Sequence, residues 1–199
     1  MNKKSEPANL EKPDLWDWGN EVLYRMCREA PEHTRHGVIA GKVWLIGRAY
    51  SAAIERGAGG YADIYSTRVA PMMMDSDIDL WITIVRPIER VSSENVTDVL
   101  RVHQQVTGLF NRITGLEKRS LASKYLHFHL PNAFFIFDSI ANAKLRELLK
   151  GKRFQVPAGF DTPYAEFVYR CLWYRDNVFE PELGRMSTPR ELDQHLLGY

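Results

Sequence analysis

Asp138 has the surroundings best suited to chemistry in this chain of 199 residues. It follows the apolar run Phe134-Phe135-Ile136-Phe137, and a helical pattern of apolar residues begins directly after it. An apolar segment of this kind is typical of a buried strand or extended stretch, so it would bring one carboxylate to the start of a helix. Such a carboxylate can act in catalysis, or it can simply cap the helix by accepting a backbone N–H. The sequence leaves both roles open.

A turn between two predicted helices precedes this segment. The first helix ends near Ile113, the turn covers Thr114 to Arg119, and Ser120 begins the second helix. The first backbone N–H groups of a helix have no partner within it, and together with the helix dipole they favour binding of a phosphate. Gly115 allows the tight turn, and Lys118 and Arg119 add positive charge. We therefore expect these three residues to contact a nucleic-acid backbone.

Positive charge is concentrated around the same part of the chain. The whole chain is close to neutral, with 26 Lys and Arg against 25 Asp and Glu, so no overall field draws it to nucleic acid. Residues 112–153, however, contain nine basic and only three acidic side chains. Lys144, Lys152 and Arg153 are candidate phosphate contacts, and a solvated helix face that complements the helix dipole is the alternative.

The residues from about 113 to 150 resemble the helix–hairpin–helix DNA glycosylases and are similar to bacterial proteins described as 8-oxoguanine-glycosylase-like. The resemblance rests on Arg-Ser-Leu-Ala-Ser at 119–123 and Phe-Phe-Ile-Phe-Asp at 134–138. It places Asp138 at the position of the family's catalytic Asp. Ser120 falls where bifunctional members carry a Lys that forms a Schiff base. Glu117 departs from the family pattern, because it stands at the second Gly of the hairpin.

The resemblance implies a DNA-binding enzyme that removes a modified or mispaired base without a cofactor or a metal ion. Asp138 would stabilise the oxocarbenium-like sugar and orient the attacking water, with no covalent step. Ser120 and the neighbouring Lys124 complete the candidate catalytic set. The base would be flipped into a pocket, for which Tyr125, His127 and His129 are the candidates.

Two other functions remain open at the level of sequence. Asp75-Ser76-Asp77-Ile78-Asp79 resembles the acidic strand motif of polymerase-beta-type nucleotidyltransferases, in which two Asp on one strand face hold magnesium. The nucleotidyltransferase hypothesis requires Asp77 and Asp79 to lie on a strand. The third possibility is a helical nucleic-acid-binding module without catalysis.

The pattern of apolar residues predicts an all-α fold of roughly eight helices over residues 13–199, as a single domain or as two closely packed helical lobes. The clearest helix runs from Val96 to Ile113, where apolar residues recur at intervals of three and four. Residues 78–85 are ambiguous, because their Ile, Thr, Val and Trp content favours a strand. Residues 1–12 are expected to be a flexible polar lead-in.

The amino-acid composition limits the classes of protein to which this chain can belong. An apolar fraction of 45% predicts a real hydrophobic core. Cys27 and Cys171 are the two cysteines, and their apolar neighbours predict buried thiols in a reducing compartment. The polar N-terminus and the lack of a long apolar run predict a cytoplasmic protein without a membrane partner. The oligomeric state is not indicated by the sequence.

Overall fold

The computed structural model describes residues 15–55 and 63–198, so the predicted lead-in at 1–12 lies outside the described residues. Every regular element within these two ranges is helical, which confirms the predicted all-α fold. Among the helices of these ranges, none combines the length and the apolar character that crossing a membrane requires.

The α-helices, in chain order, are α1 (Leu15–Glu29), α2 (His36–Ala49), α3 (Ala70–Met74), α4 (Ile78–Val85), α5 (Val96–Thr114), α6 (Arg119–His129), α7 (Ser139–Leu148), α8 (Thr162–Tyr174), α9 (Glu180–Leu183) and α10 (Pro189–Leu197). A π-helical turn, Tyr65–Val69, leads into α3, and a second one, Arg175–Phe179, joins α8 to α9. The described part thus has more α-helical segments than the roughly eight predicted. The difference comes from short segments such as α3 and α9, in which too few residues are present for the helical spacing of apolar residues to be recognised.

Helix α6 lies at the centre of the hydrophobic core. All eight residues from Leu121 to Phe128 are buried, which is unusual for a helix with polar side chains among them. Helices α1, α2 and α5 pack directly against it. Apolar residues from all parts of the described chain join one continuous core around α6. The polar side chains of this helix must therefore find partners inside the protein.

Residues 78–85 form helix α4 and not the strand that their composition favours. Ile78, Ile82 and Val85 are buried, whereas Leu80 and Ile84 are exposed. This spacing of four and three matches one face of a helix, which packs against α5. The packing face outweighs the weaker strand propensity of these residues. The rival prediction of a two-carboxylate strand at Asp77 and Asp79 is therefore wrong.

Two predicted helix starts are confirmed in atomic detail. Asp138 is the N-cap of α7, and its Oδ1 accepts a hydrogen bond from the Ile140 N–H at 2.8 Å. Thr188 and Glu191 form the capping box of α10, with Pro189 in the first turn. Both starts satisfy backbone N–H groups in the first turn of a helix.

Candidate functional site

The apolar run before Asp138 positions its carboxylate. Residues 133–136 are buried in extended or turn conformation, so they fix the backbone that enters α7. Asp138 itself has extended dihedral angles, as an N-cap residue should. Its side chain is 29% exposed, so one end of the carboxylate faces the protein and the rest is open to solvent or a ligand. Asp138 therefore serves as the cap and still presents a charge.

The amine of Lys124 lies beside Asp138. Its Nζ is 3.6 Å from Asp138 Oδ2, and it donates to Ser120 Oγ at 2.9 Å and to the Tyr50 carbonyl at 3.1 Å. Residues four apart share one face of a helix, which brings Ser120 and Lys124 together on α6. The lysine side chain is only 3% exposed. Loss of hydration by burial lowers the pKa of Lys124, and the Asp138 and Asp193 carboxylates oppose that shift.

Two serine hydroxyls fasten α6 to the segment before Asp138. Ser120 Oγ donates to the Phe137 carbonyl at 3.1 Å, and Ser123 Oγ accepts from the Phe137 N–H at 2.9 Å. These contacts hold Phe137, and therefore Asp138, at a fixed distance from α6. We refer to Ser120, Lys124 and Asp138 as the Lys124–Asp138 site. The structure thus brings together the three predicted catalytic residues.

A cavity of about 300 Å³ adjoins this site. Its walls are the turn at 51–53, the segment 117–121 and the Phe137 ring. Ser120 belongs both to the cavity wall and to the Lys124–Asp138 site, whereas Lys124 and Asp138 do not line the cavity. An aromatic ring beside polar groups suits a flat heteroaromatic ligand.

The predicted phosphate contacts at the turn are engaged within the protein. Lys118 Nζ donates to the Ala53 carbonyl at 3.3 Å, and burial lowers its pKa. The Arg119 Nε contacts both oxygens of Asp161 at 2.8 and 2.6 Å, and its Nη2 donates to Glu117 at 3.1 Å. Gly115 ends α5 with a φ of 74°, which favours glycine. The turn has the predicted shape, but the guanidinium group of Arg119 is already bound by the carboxylates of Asp161 and Glu117.

The other predicted phosphate contacts lie toward the far end of α7. Lys144 is near Glu147, with 3.5 Å between Nζ and Oε2, and Arg153 is exposed. Lys152 Nζ lies 3.6 Å from the centre of the Trp173 ring, a cation–π contact. Because α7 has ten residues, its length of ~15 Å separates Lys152 and Arg153 from Asp138.

The predicted base pocket is instead part of the protein core. Tyr125 and His127 are fully buried. His127 Nδ1 donates to the Phe134 carbonyl at 2.8 Å, so its Nε2 accepts from the Tyr24 hydroxyl at 2.6 Å. Burial lowers the pKa of His127 to about 4 and holds that of His129 well below its usual value. The expectation that Tyr125 and His127 line a base pocket is wrong, because residues 121–128 of α6 are buried, while His129 at the end of the helix is half-buried.

Sequence reasoning missed a second charged pair beside the site. Arg190 Nη1 donates to Asp193 Oδ2 at 2.6 Å in the first turn of α10. Asp193 is 4% exposed, and its Oδ1 has no hydrogen-bond partner. The capping box predicted the start of α10, and the spacing of three between Arg190 and Asp193 was visible. That this face packs toward Asp138 depends on contacts between distant parts of the chain.

Nothing in the described ranges groups three His, Cys, Asp or Glu side chains as a metal site would require. Asp79, one of the two Asp of the rival metal-binding prediction, binds His33 instead, with 2.6 Å between Oδ1 and Nδ1. Comparison of the chain with protein-family models, with curated proteins and with solved structures returns no match.

Proposed function

We propose that this protein binds DNA and hydrolyses the N-glycosidic bond of a modified or mispaired base. The observation that carries the proposal is the Lys124–Asp138 site, in which a partly exposed carboxylate lies beside a buried amine, and whose Ser120 also lines a cavity. The motif resemblance at 119–123 and 134–138 covers the same residues. Both lines of support converge on Asp138.

The proposed reaction places its charge near Asp138. As the bond between the sugar C1′ and the base nitrogen breaks, the base leaves with the electron pair and the sugar becomes cationic. The Asp138 carboxylate stabilises that cation, water then attacks C1′, and the proton that the water loses protonates the departed base, which leaves a free base and an abasic sugar. A carboxylate already fixed by the Ile140 N–H needs little reorganisation during this step.

Lys124 acts in this proposal as a charged positioning group. Its amine reaches the hydroxyl of Ser120, the position at which bifunctional glycosylases carry their lysine. Its amine donates to Ser120 Oγ and to the Tyr50 carbonyl and forms an ion pair with Asp138, contacts that favour the ammonium form. An ammonium group has no lone pair for attack on C1′. We therefore expect hydrolysis without a covalent intermediate, and no complex trapped by borohydride.

The flipped base would occupy the cavity beside Ser120. Stacking on an aromatic side chain stabilises a base by about 1–3 kcal/mol, and Phe137 offers such a face. Residues 117–120, which carry polar side chains, also line this cavity. This cavity replaces the buried Tyr125, His127 and His129 as the candidate base pocket.

Formation of abasic sites in oligonucleotides that carry a panel of modified and mispaired bases tests the proposal. Asp138→Asn is the decisive variant, because Asn caps a helix about as well as Asp but carries no charge. We expect it to lower the rate of base release by about 100-fold or more, in a protein that circular dichroism shows to be still folded. Full activity in Asp138→Asn would disprove the role of this carboxylate. DNA binding without any base release would favour the non-catalytic binding module.

A further inference from the structure

Asp193 lies in a buried polar cluster that the proposed reaction does not yet use. The cluster joins the first turn of α10 to α1 and to the end of α2, where Tyr50 donates to Asn20 Oδ1 at 2.6 Å. Asn20 is 4% exposed and its Nδ2 has no partner, like Asp193 Oδ1. Unpaired polar atoms are costly in a protein interior and are concentrated at functional sites.

Three helices bring charged groups close to Asp193. Arg190, on the same helix, forms an ion pair with it at 2.6 Å, and α10 packs directly against α7, whose N-cap is Asp138. Lys124 on α6 is the remaining charged neighbour. The other titratable neighbours are neutral at pH 7, because burial raises the pKa of Tyr24, Tyr50 and Cys171. The balance of charge therefore depends on two carboxylates and two cations.

We propose that Asp193 is the second carboxylate of the Lys124–Asp138 site and balances its charge, so that Asp138 can stabilise a cation. With Asp193 ionised, the four groups have no net charge. With Asp193 protonated, or absent, the site carries one positive charge, which opposes the formation of a cationic sugar. Asp193 acts on the substrate through Lys124 and Asp138, so it is a positioning residue. This inference rests on the proposed glycosidic hydrolysis.

The acid dependence of the reaction follows from the environment of Asp193. Burial, and the nearby charge of Asp138, raise the pKa of Asp193 to about 6, although Arg190 and Lys124 oppose the shift. Base release should therefore fall as the pH decreases through about 6, because protonation of Asp193 leaves the site positive. This limb of the pH profile should disappear in a variant without the carboxylate.

Asp193→Asn tests the inference in two independent measurements. In the first, base release is followed between pH 5 and pH 8; we expect the variant to be about tenfold slower at pH 7.5 and to lack the decline near pH 6. Asp193→Glu keeps a carboxylate and should recover part of the rate. Asp98→Asn, in an exposed pair with Arg101 on α5, is the matched control and should change neither the rate nor the profile.

In the second measurement, the pKa of Lys124 is read from the Cε resonance of ¹³C-labelled lysine in the intact protein, assigned with Lys124→Arg. Removal of the Asp193 charge should lower the pKa of Lys124 by about half a unit or more. This measurement needs no substrate, so it decides the inference even if no base is released and the proposed function fails. An unchanged pKa of Lys124 in folded Asp193→Asn, or an unchanged acid limb, would overturn it.

Discussion

At the scale of single residues, Asp193 shows how a functional group can oppose folding. Its pKa is about 6 in the folded protein and 3.8 as an unperturbed side chain. A carboxyl group with a raised folded pKa stabilises the protein fully below the unfolded value, and this stability is lost as the pH rises toward the folded value. Ionised Asp193 therefore costs about 3 kcal/mol of stability at neutral pH relative to pH 3.

This cost predicts a specific change of stability with pH. The difference in unfolding free energy between Asp193→Asn and the natural protein should move by about 3 kcal/mol in favour of the variant between pH 3.5 and pH 7. Urea unfolding at several pH values measures it, with Asp98→Asn as the exposed control. A difference that stays constant across this range would show that Asp193 titrates as an ordinary exposed carboxyl group.

How far the site could be predicted differs from residue to residue. The positions of Asp138 and Ser120 could be predicted because the signals for them are local in the sequence: an apolar run, an N-cap and a helix start. That Lys124 lies beside Ser120 could be predicted from their spacing of four residues on one helix. His127 and Tyr125 were misplaced because their burial depends on helices far away in sequence. Asp193 was missed for the same reason, since α10 approaches Asp138 only in the folded chain.

At the scale of elements, the turn between α5 and α6 contains its own competitor for phosphate. Glu117 contacts the Arg119 guanidinium at 3.1 Å, and Asp161, the N-cap of α8, binds the same side chain. A DNA phosphate at this turn would meet a carboxylate in front of the arginine. The shape of the turn was predictable from Gly115 and the flanking helix patterns. The capture of Arg119 by Asp161 was not, because Asp161 is 42 residues away in the chain.

Glu117→Gln should therefore strengthen DNA binding. The substitution removes a negative charge from the turn and one of the two carboxylates that contact Arg119. We therefore expect a several-fold higher affinity for DNA at low salt. The slope of log affinity against log salt concentration should correspond to about one more released counterion. Fluorescence anisotropy with a duplex at several salt concentrations measures both quantities. Stability should change by less than about 1 kcal/mol, because Glu117 is mostly exposed.

Glu147→Gln is the matched control for that substitution. Glu147 is also an exposed carboxylate near a cation, Lys144, but it lies on α7 away from the turn. An equal gain in affinity from both variants would mean that overall charge, and not the turn, governs binding. No gain from Glu117→Gln would place the DNA contact elsewhere on the surface.

Helix α4 shows where element-level prediction failed and why. Strand propensity at 78–85 reflects how single residues suit a pleated surface, yet the partner offered here is a helix, α5. Helices α7 and α10 were predictable because their N-caps and apolar faces agree, and α5 because its apolar face agrees with the C-terminal Gly115. A helix can be predicted from sequence when its local sequence signals agree with its tertiary packing.

At the scale of the whole molecule, neutral histidines connect α6 to the surrounding helices. His33 donates from Nδ1 to Asp79 and accepts from the Tyr125 hydroxyl, which joins the loop after α1 to α4 and α6. His127 joins α6 to α1 through Tyr24. His103, on α5, contacts the Arg119 carbonyl and stacks on Tyr164 of α8. Each ring is buried, so each is held neutral by the loss of hydration.

These histidines predict that the folded protein is sensitive to acid. Burial lowers the pKa of His103 to about 3 and that of His127 to about 4, from 6.5. A group with a lowered folded pKa contributes stability above the unfolded value, and this stability is lost as the pH falls toward the folded value. For His127 the loss between pH 7 and pH 4 is about 3 kcal/mol.

His127→Gln isolates this contribution. The variant should be less stable than the natural protein at pH 7, because a buried hydrogen-bonded ring is lost, but the difference should shrink by about 3 kcal/mol on going to pH 4. Urea unfolding across this range measures the two curves. Parallel curves for His127→Gln and the natural protein would show that His127 becomes protonated without unfolding, and the connection between α6 and α1 would then not limit acid stability.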